Sequence, residues 1–170
     1  MSLNEVHTLM AVNCYPIALL TKQVLKSFKS RFKKDNKIRS LIINFSAGAS
    51  LIPTPFVQLY SATKVYTNFL SEGLAYELKE FNVDVMTVKS YNLTNEIVLN
   101  NDKIPFFVRL ATVTPEQCVK ASLNKCTESS HFGAFTHEFL GTMLTCVIDM
   151  MPFEFRMLMT GTMGKKIKDG

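Results

Sequence analysis

Two short apolar runs, one helix-length apart, constrain this chain more than anything else in it. Leu41-Ile42-Ile43-Asn44-Phe45 is almost continuously apolar, and Val83-Asp84-Val85-Met86-Thr87-Val88 has the make-up of a second strand. An apolar run without alternation is the pattern of a strand buried on both faces of a parallel sheet. Between them, residues 57–81 carry Tyr66, Phe69, Leu70, Leu74 and Leu78 at helical spacing, an inner stripe for a helix that Asn82 ends. Strand, helix, strand in that order predicts a right-handed parallel crossover and an α/β fold. Gly73 inside the helix costs roughly 1 kcal/mol relative to alanine, which predicts close packing against a neighbouring helix or strand there.

The flanks follow the same logic. Residues 4–32 place Val6, Leu9, Met10, Asn13, Ile17, Leu20, Val24, Leu25 and Phe28 at helical spacing, predicting one long helix. Ser2 or Asn4 can cap it, and Pro16 should bend it, because proline cannot donate to the carbonyl of Val12. Gly48 to Pro55 reads as a loop, and the polar stretch 89–102 as another. Residues 104–111 are apolar but ambiguous. Thr114-Pro115-Glu116-Gln117 has the threonine cap, first-position proline and glutamine of a capping box, opening a helix to about Cys126. Gly133–Thr136 is predicted as a third strand and 138–150 as a helix ended by Pro152. A last segment carries Phe153, Phe155, Met157, Leu158 and Met159.

Charge narrows the partners. The net +5 is concentrated in Lys22, Lys26, Lys29, Arg31, Lys33, Lys34, Lys37 and Arg39 around one acid, Asp35. Such a patch suits anionic lipid, nucleic acid or an acidic partner, or is simply a helix end whose solvated cations complement the dipole. No nucleic-acid role is expected. Cys14, Cys118, Cys126 and Cys146 show no metal-ligand spacing, and His7, His131 and His137 are scattered; they read as reduced thiols and solvated or structural imidazoles. No run reaches about eighteen apolar residues, so no membrane-spanning helix is expected, nor a signal peptide.

Tyr60 and Lys64 carry the chemistry. Four residues apart, they share one helix face, and a cation near a phenol lowers its pKa toward working pH, fitting it for proton exchange with a substrate oxygen. An ordinary surface pair has the same spacing.

The context decides between them. Asn44-Phe45-Ser46-Ala47-Gly48-Ala49-Ser50, nine more residues, then Tyr60-Ser61-Ala62-Thr63-Lys64 resembles the active-site segment of short-chain dehydrogenases/reductases, in the branch of hydroxysteroid dehydrogenases and very-long-chain 3-oxoacyl-CoA reductases. The resemblance runs from about Val6 to the C-terminus and covers the second half of that family's domain. It implies the C-terminal half of a Rossmann-like, doubly wound parallel sheet of about three strands with flanking helices. Residues 1–170 would form a single partial domain lacking the dinucleotide-binding half.

The family's chemistry, by this resemblance, is hydride transfer from NADPH to a ketone. Tyr60 would supply the proton, and Lys64 would lower the tyrosine's pKa and hold the nicotinamide ribose. Asn13 matches an asparagine whose backbone carbonyl holds a relay water, or is a polar residue tolerated beside the proline bend. Ala47 occupies the place of the serine that donates to the substrate oxygen, and a lost oxyanion donor costs on the order of 10²–10³ in rate. Ser46 and Ser50 are the hydroxyls nearby. Leu93 and Asn95 fall where the family lines the nicotinamide, but Ser90-Tyr91-Asn92-Leu93-Thr94-Asn95 has neither the usual proline nor glycine. No glycine-rich phosphate turn precedes a helix, so NADP(H) binding by this chain alone is not expected.

The resulting expectation is a pseudoenzyme, inactive alone, acting as a structural or assembly partner. The alternative is a fragment or half of an NADPH-dependent 3-oxoacyl-CoA or hydroxysteroid reductase of lipid metabolism. An apolar strand without its neighbour is a template for pairing, so a protein completing the sheet is expected, or a homo-oligomer through the two long helices. Lys166-Ile167-Lys168-Asp169-Gly170 fits a K-x-K-x-x retrieval address, placing the chain on the cytosolic face of the endoplasmic reticulum. The Met- and Phe-rich segment before it adds an expected peripheral membrane contact.

Overall fold

The computed structural model describes residues 1–90, 113–125, 130–131, 139, 141–143, 145–147 and 150–169. Three parallel strands form one sheet in the order β1 (Ser40–Ala47), β2 (Val83–Ser90), β3 (Ser130–His131). Ile42 pairs with Val85 and Ala47 with Ser90, so the predicted crossover is present. The third strand lies upstream of 133–136, which fall outside the described residues; what is described pairs with Thr87 and Val88.

The N-terminal helix is two helices. α1 (Leu3–Asn13) starts with a full capping box between Ser2 and Glu5, and α2 (Tyr15–Lys34) follows across Cys14. Proline does more than bend the chain here. Lacking an N–H for Val12, Pro16 interrupts the hydrogen-bond ladder and settles into the first turn of a new helix, where no donor is needed.

α3 (Gln58–Glu77) connects β1 to β2, and a 3-10 turn at Lys79–Phe81 ends at Asn82 in the left-handed region, φ 53°. Of the expected apolar stripe, the C-terminal part is turned inward, Leu78 buried with Leu74 packed in the same cluster, but the rest of the buried face is polar. Ser61, Thr63, Thr67, Asn68 and Ser71 are buried, whereas Phe69 is 74% exposed and Tyr66 also faces outward. Small hydroxyl side chains let the helix settle close on the sheet; Thr67 donates back to Thr63 O (3.1 Å) and Ser71 to Thr67 O (2.7 Å), whereas the buried Ser61 hydroxyl has no partner among the described residues. A methyl at Gly73 would meet nothing within 4 Å; the close approach expected of it is not made among the described residues.

Two apolar clusters sandwich β2, as alternation along a strand requires. Val83 and Val85 pack with Leu78, Leu25, Phe28 and Ile42 under α2 and α3. Met86 and Val88 pack with Val113 and Cys118 under α4 (Pro115–Asn124), whose threonine capping box forms as predicted. β1 departs from the expectation of burial on both faces. Leu41, Ile43 and Phe45 are 36%, 36% and 59% exposed, and β1 is the edge of the sheet among the described residues.

Residues 139, 141–143 and 145–147 are helical, within the helix predicted for 138–150, and α5 (Phe153–Asp169) closes the chain. α5 crosses the loop before α3 through Gly161 and Gly164; a methyl at Gly164 would overlap the carbonyl oxygen of Pro55. The basic segment is partly held by neighbours. Lys29 lies 3.9 Å from the centroid of the Phe81 ring, Arg31 stacks on Phe28, and Arg39 pairs with Asp84 at 2.8 Å.

Candidate active site

The elements converge at the C-terminal end of β1. β1 runs into a 3-10 turn (Gly48–Ser50), a loop returns through Pro55, and α3 brings Tyr60 and Lys64 back over the strand. Lys64 Nζ sits 3.4 Å from the carbonyl oxygen of Phe45 and 5.5 Å from the centroid of the Tyr60 ring. Lys64 also lines a groove of ≈ 420 Å³ between α2 and β1, together with Asn13, Thr67 and Phe45. Tyr60 does not line that groove. Lys64 thus touches the Tyr60 ring and lines the groove that Asn13 also lines.

The electrostatics differ from expectation. Lys64 stands over the face of the Tyr60 ring, and burial pushes the phenol above its ordinary range. Desolvation opposes the charged phenolate, and here it decides the direction. Burial also holds Lys64 below the usual lysine range, partly offset by Cys14. Cys14 itself is buried, and desolvation raises its thiol while Lys64 opposes the rise. Sequence reasoning passed over this thiol; the signal available was its place directly after Asn13.

The hydroxyls beside Ala47 are committed elsewhere. Ser46 faces α3 and donates to the backbone oxygen of Lys64 at 3.0 Å. Ser50 donates to the carbonyl of Ala47 at 2.7 Å and accepts from Asn68 Nδ2 at 2.8 Å. Neither replaces the missing donor in this arrangement. Asn13 Nδ2 donates to Leu9 O at 3.1 Å, so its side chain closes α1 at the interruption. Leu93 and Asn95 lie outside the described residues.

The comparisons fit this geometry. A family model of short chain dehydrogenases matches residues 1–103. The chain belongs to the short-chain dehydrogenase family. Human 17-beta-hydroxysteroid dehydrogenase type 3 is 30% identical over 147 residues, which are 85% of this chain and 43% of that protein. The very-long-chain 3-oxoacyl-CoA reductase of Anas platyrhynchos is 29% identical over 131 residues, 76% of this chain and 38% of that one. The chain thus spans less than half the length of these curated relatives. Among solved structures, the 3-ketoacyl-(acyl-carrier-protein) reductase of Brucella melitensis, complexed with NADH, matches with TM-score 0.62 and 19% identity over 74% of this chain and 52% of that one. A short chain dehydrogenase from Burkholderia cenocepacia, in complex with NADP, matches with TM-score 0.63 and 17% identity over 84% and 56%. At these identities the structures establish the Rossmann-like fold.

By the family resemblance, Tyr60 and Lys64 are the described residues that would meet the nicotinamide end of a dinucleotide. Its pyrophosphate needs a glycine turn opening onto a helix N-terminus. Among the described residues, Gly48 lies in a 3-10 turn and Gly73, Gly141, Gly161 and Gly164 lie within helices, so that half of the cofactor has no cradle here.

Proposed function

We propose that this chain is a short-chain dehydrogenase without ketone turnover of its own, serving as a structural or assembly partner. The observation that carries the reading is the state of the hydroxyls around Ala47: the serine position holds a methyl, and Ser46 and Ser50 both spend their protons on backbone carbonyls. A developing alkoxide is stabilised by donors already aimed at it. The proton-donating phenol is held above its ordinary range by burial, which also runs against exchange near neutral pH. The test is direct: the purified chain is mixed with NADPH and a 3-oxoacyl-CoA or 17-keto steroid, and nicotinamide fluorescence and oxidation are followed. Neither should change. Turnover that vanishes in Tyr60→Phe would refute the reading.

Two surfaces support a holding role. The outward face of α3 exposes Phe69 and Tyr76 beside the open position at Gly73, suited to a second copy. The edge of β1, with Leu41, Ile43 and Phe45 uncovered, suits a strand from another polypeptide. Native mass distinguishes a lone chain from a dimer. The K-x-K-x-x terminus supports placement at the cytosolic face of the endoplasmic reticulum, testable by moving a tagged chain with Lys166→Ser and Lys168→Ser.

A second reading has its own support. Tyr60 and Lys64 keep their one-turn spacing at the end of β1, and the relatives are named as hydroxysteroid dehydrogenases and 3-oxoacyl-CoA reductases. On this reading the chain is half of an NADPH-dependent ketone reductase. Ala47→Ser would then raise turnover by roughly 10²-fold once the other half is supplied.

A further inference from the structure

α2 carries a row of cations along one side. Tyr15, Leu19, Lys22, Lys26, Lys29 and Lys33 follow one another at alternate steps of four and three residues, which stacks them on a single helix face. That face turns away from Ile17 and Thr21, the buried residues of α2. Lys22, Lys26 and Lys33 are exposed, and Lys29 leans on the Phe81 ring. From Lys22 to Lys33 the row runs about 16 Å at the rise of an α-helix. α2 contains six cations and no acid, and none of the four lysines makes an ion pair among the described residues. Glu77 and Glu80 line a hollow with Lys29 without pairing with it. The helix dipole accounts for Arg31, Lys33 and Lys34 in the last turn, because its field fades within a turn of the end. Lys22 and Lys26 stand about three and two turns earlier, where like charges one turn apart only weaken the helix.

We propose that this face of α2 seats on an anionic lipid surface, its lysines among the headgroups and Tyr15 and Leu19 at the boundary with the acyl chains. Tyr15 and Leu19 are 58% and 63% exposed at the N-terminal end of the row, and they decide between polyanions. A nucleic-acid backbone offers the row charge alone. A leaflet offers charge and, just beneath it, an apolar layer for a phenol ring and a leucyl chain. The cations of the row are all lysines, point charges on flexible stems; they suit mobile headgroups, whereas one fixed carboxylate of an acidic protein is better gripped by the planar fork of an arginine. A second copy is opposed on this face, since an isologous contact would set one lysine row against another. Lipid seating through α2 requires neither ketone turnover nor the surfaces of α3 and β1.

The experiment sediments the full chain with phosphatidylcholine vesicles containing roughly a third phosphatidylserine, and with vesicles of phosphatidylcholine alone. Binding is expected only where phosphatidylserine is present, and it should fall as salt rises. A lysine near an anionic surface strengthens binding about fivefold, so Lys26→Gln should weaken it roughly fivefold and the Lys22→Gln, Lys26→Gln pair roughly 25-fold. Lys120→Gln makes the same charge change at an exposed position of α4, off the row, and should cost less than about twofold. Leu19→Ser should weaken vesicle binding severalfold with no change in charge. Circular dichroism checks that each variant stays folded; if the double variant does not, Lys26→Gln against Lys120→Gln still decides. Equal binding to both vesicles, equal losses from Lys26→Gln and Lys120→Gln, or release of the chain by an oligonucleotide at matched phosphate concentration overturns the assignment.

Discussion

Replacing Gly164 by alanine should destabilise this protein, and the same replacement at Gly73 should stabilise it. Both glycines sit inside helices, where alanine is favoured by about 1 kcal/mol. At Gly73 a methyl meets nothing within 4 Å, so that preference is expressed in full. At Gly164 the methyl overlaps the Pro55 carbonyl oxygen, with Pro55 C at 3.1 Å and Thr54 Cγ2 at 3.2 Å. Backbone cannot swing aside as a side-chain tip can, so α5 must withdraw from the loop, and overpacking of this kind costs about 1–3 kcal/mol. Subtracting the helix preference leaves a net loss of up to about 2 kcal/mol, or roughly 4–8 °C in Tm for a chain of this size. The gain at Gly73 should be about 2–4 °C. Thermal melts followed by circular dichroism measure both. Equal, positive shifts for the two variants would refute the docking of α5 on the loop that leads to Tyr60.

Ser71→Ala should cost about 1–2 kcal/mol in urea unfolding, because Asn44 Nδ2, which donates to Ser71 Oγ at 2.9 Å, loses its acceptor in a part-buried site. Asp84→Asn should change stability by less than about 1 kcal/mol, since the Arg39 pair it removes is exposed. Burial raises Tyr60 above its ordinary value of 10.0; the folded state therefore holds its proton longer than the unfolded one. The stabilisation linked to that proton is complete below about pH 10 and is lost as pH climbs through the raised value. Tyrosinate absorbance should show a late-titrating component that is absent in Tyr60→Phe. Phe69→Glu should leave the monomer's melting temperature nearly unchanged and shift native mass downward if α3 forms a dimer; unchanged mass in a dimeric protein would exclude that face.

The sequence alone determined the order of elements and the direction of the sheet. Apolar runs at 41–45 and 83–88, the intervening helical period and the Thr114 capping box are local patterns, and each appears where the residues placed it. The Tyr60–Lys64 pair and Ala47 were legible for the same reason: one-turn spacing and motif position survive in any fold that keeps the helix. What only tertiary structure decided is which way each group faces and what lies beside it. α3 buries Ser61, Thr67 and Ser71 rather than Phe69, because closeness to the sheet outweighs side-chain hydropathy. Lys64 stands over a ring, with the Cys14 thiol close enough to act on it, and burial rather than charge pairing sets the direction in which its Tyr60 neighbour shifts. Spacing reports distances along one helix; solvation depends on everything that packs around it, and no single stretch of residues contains that.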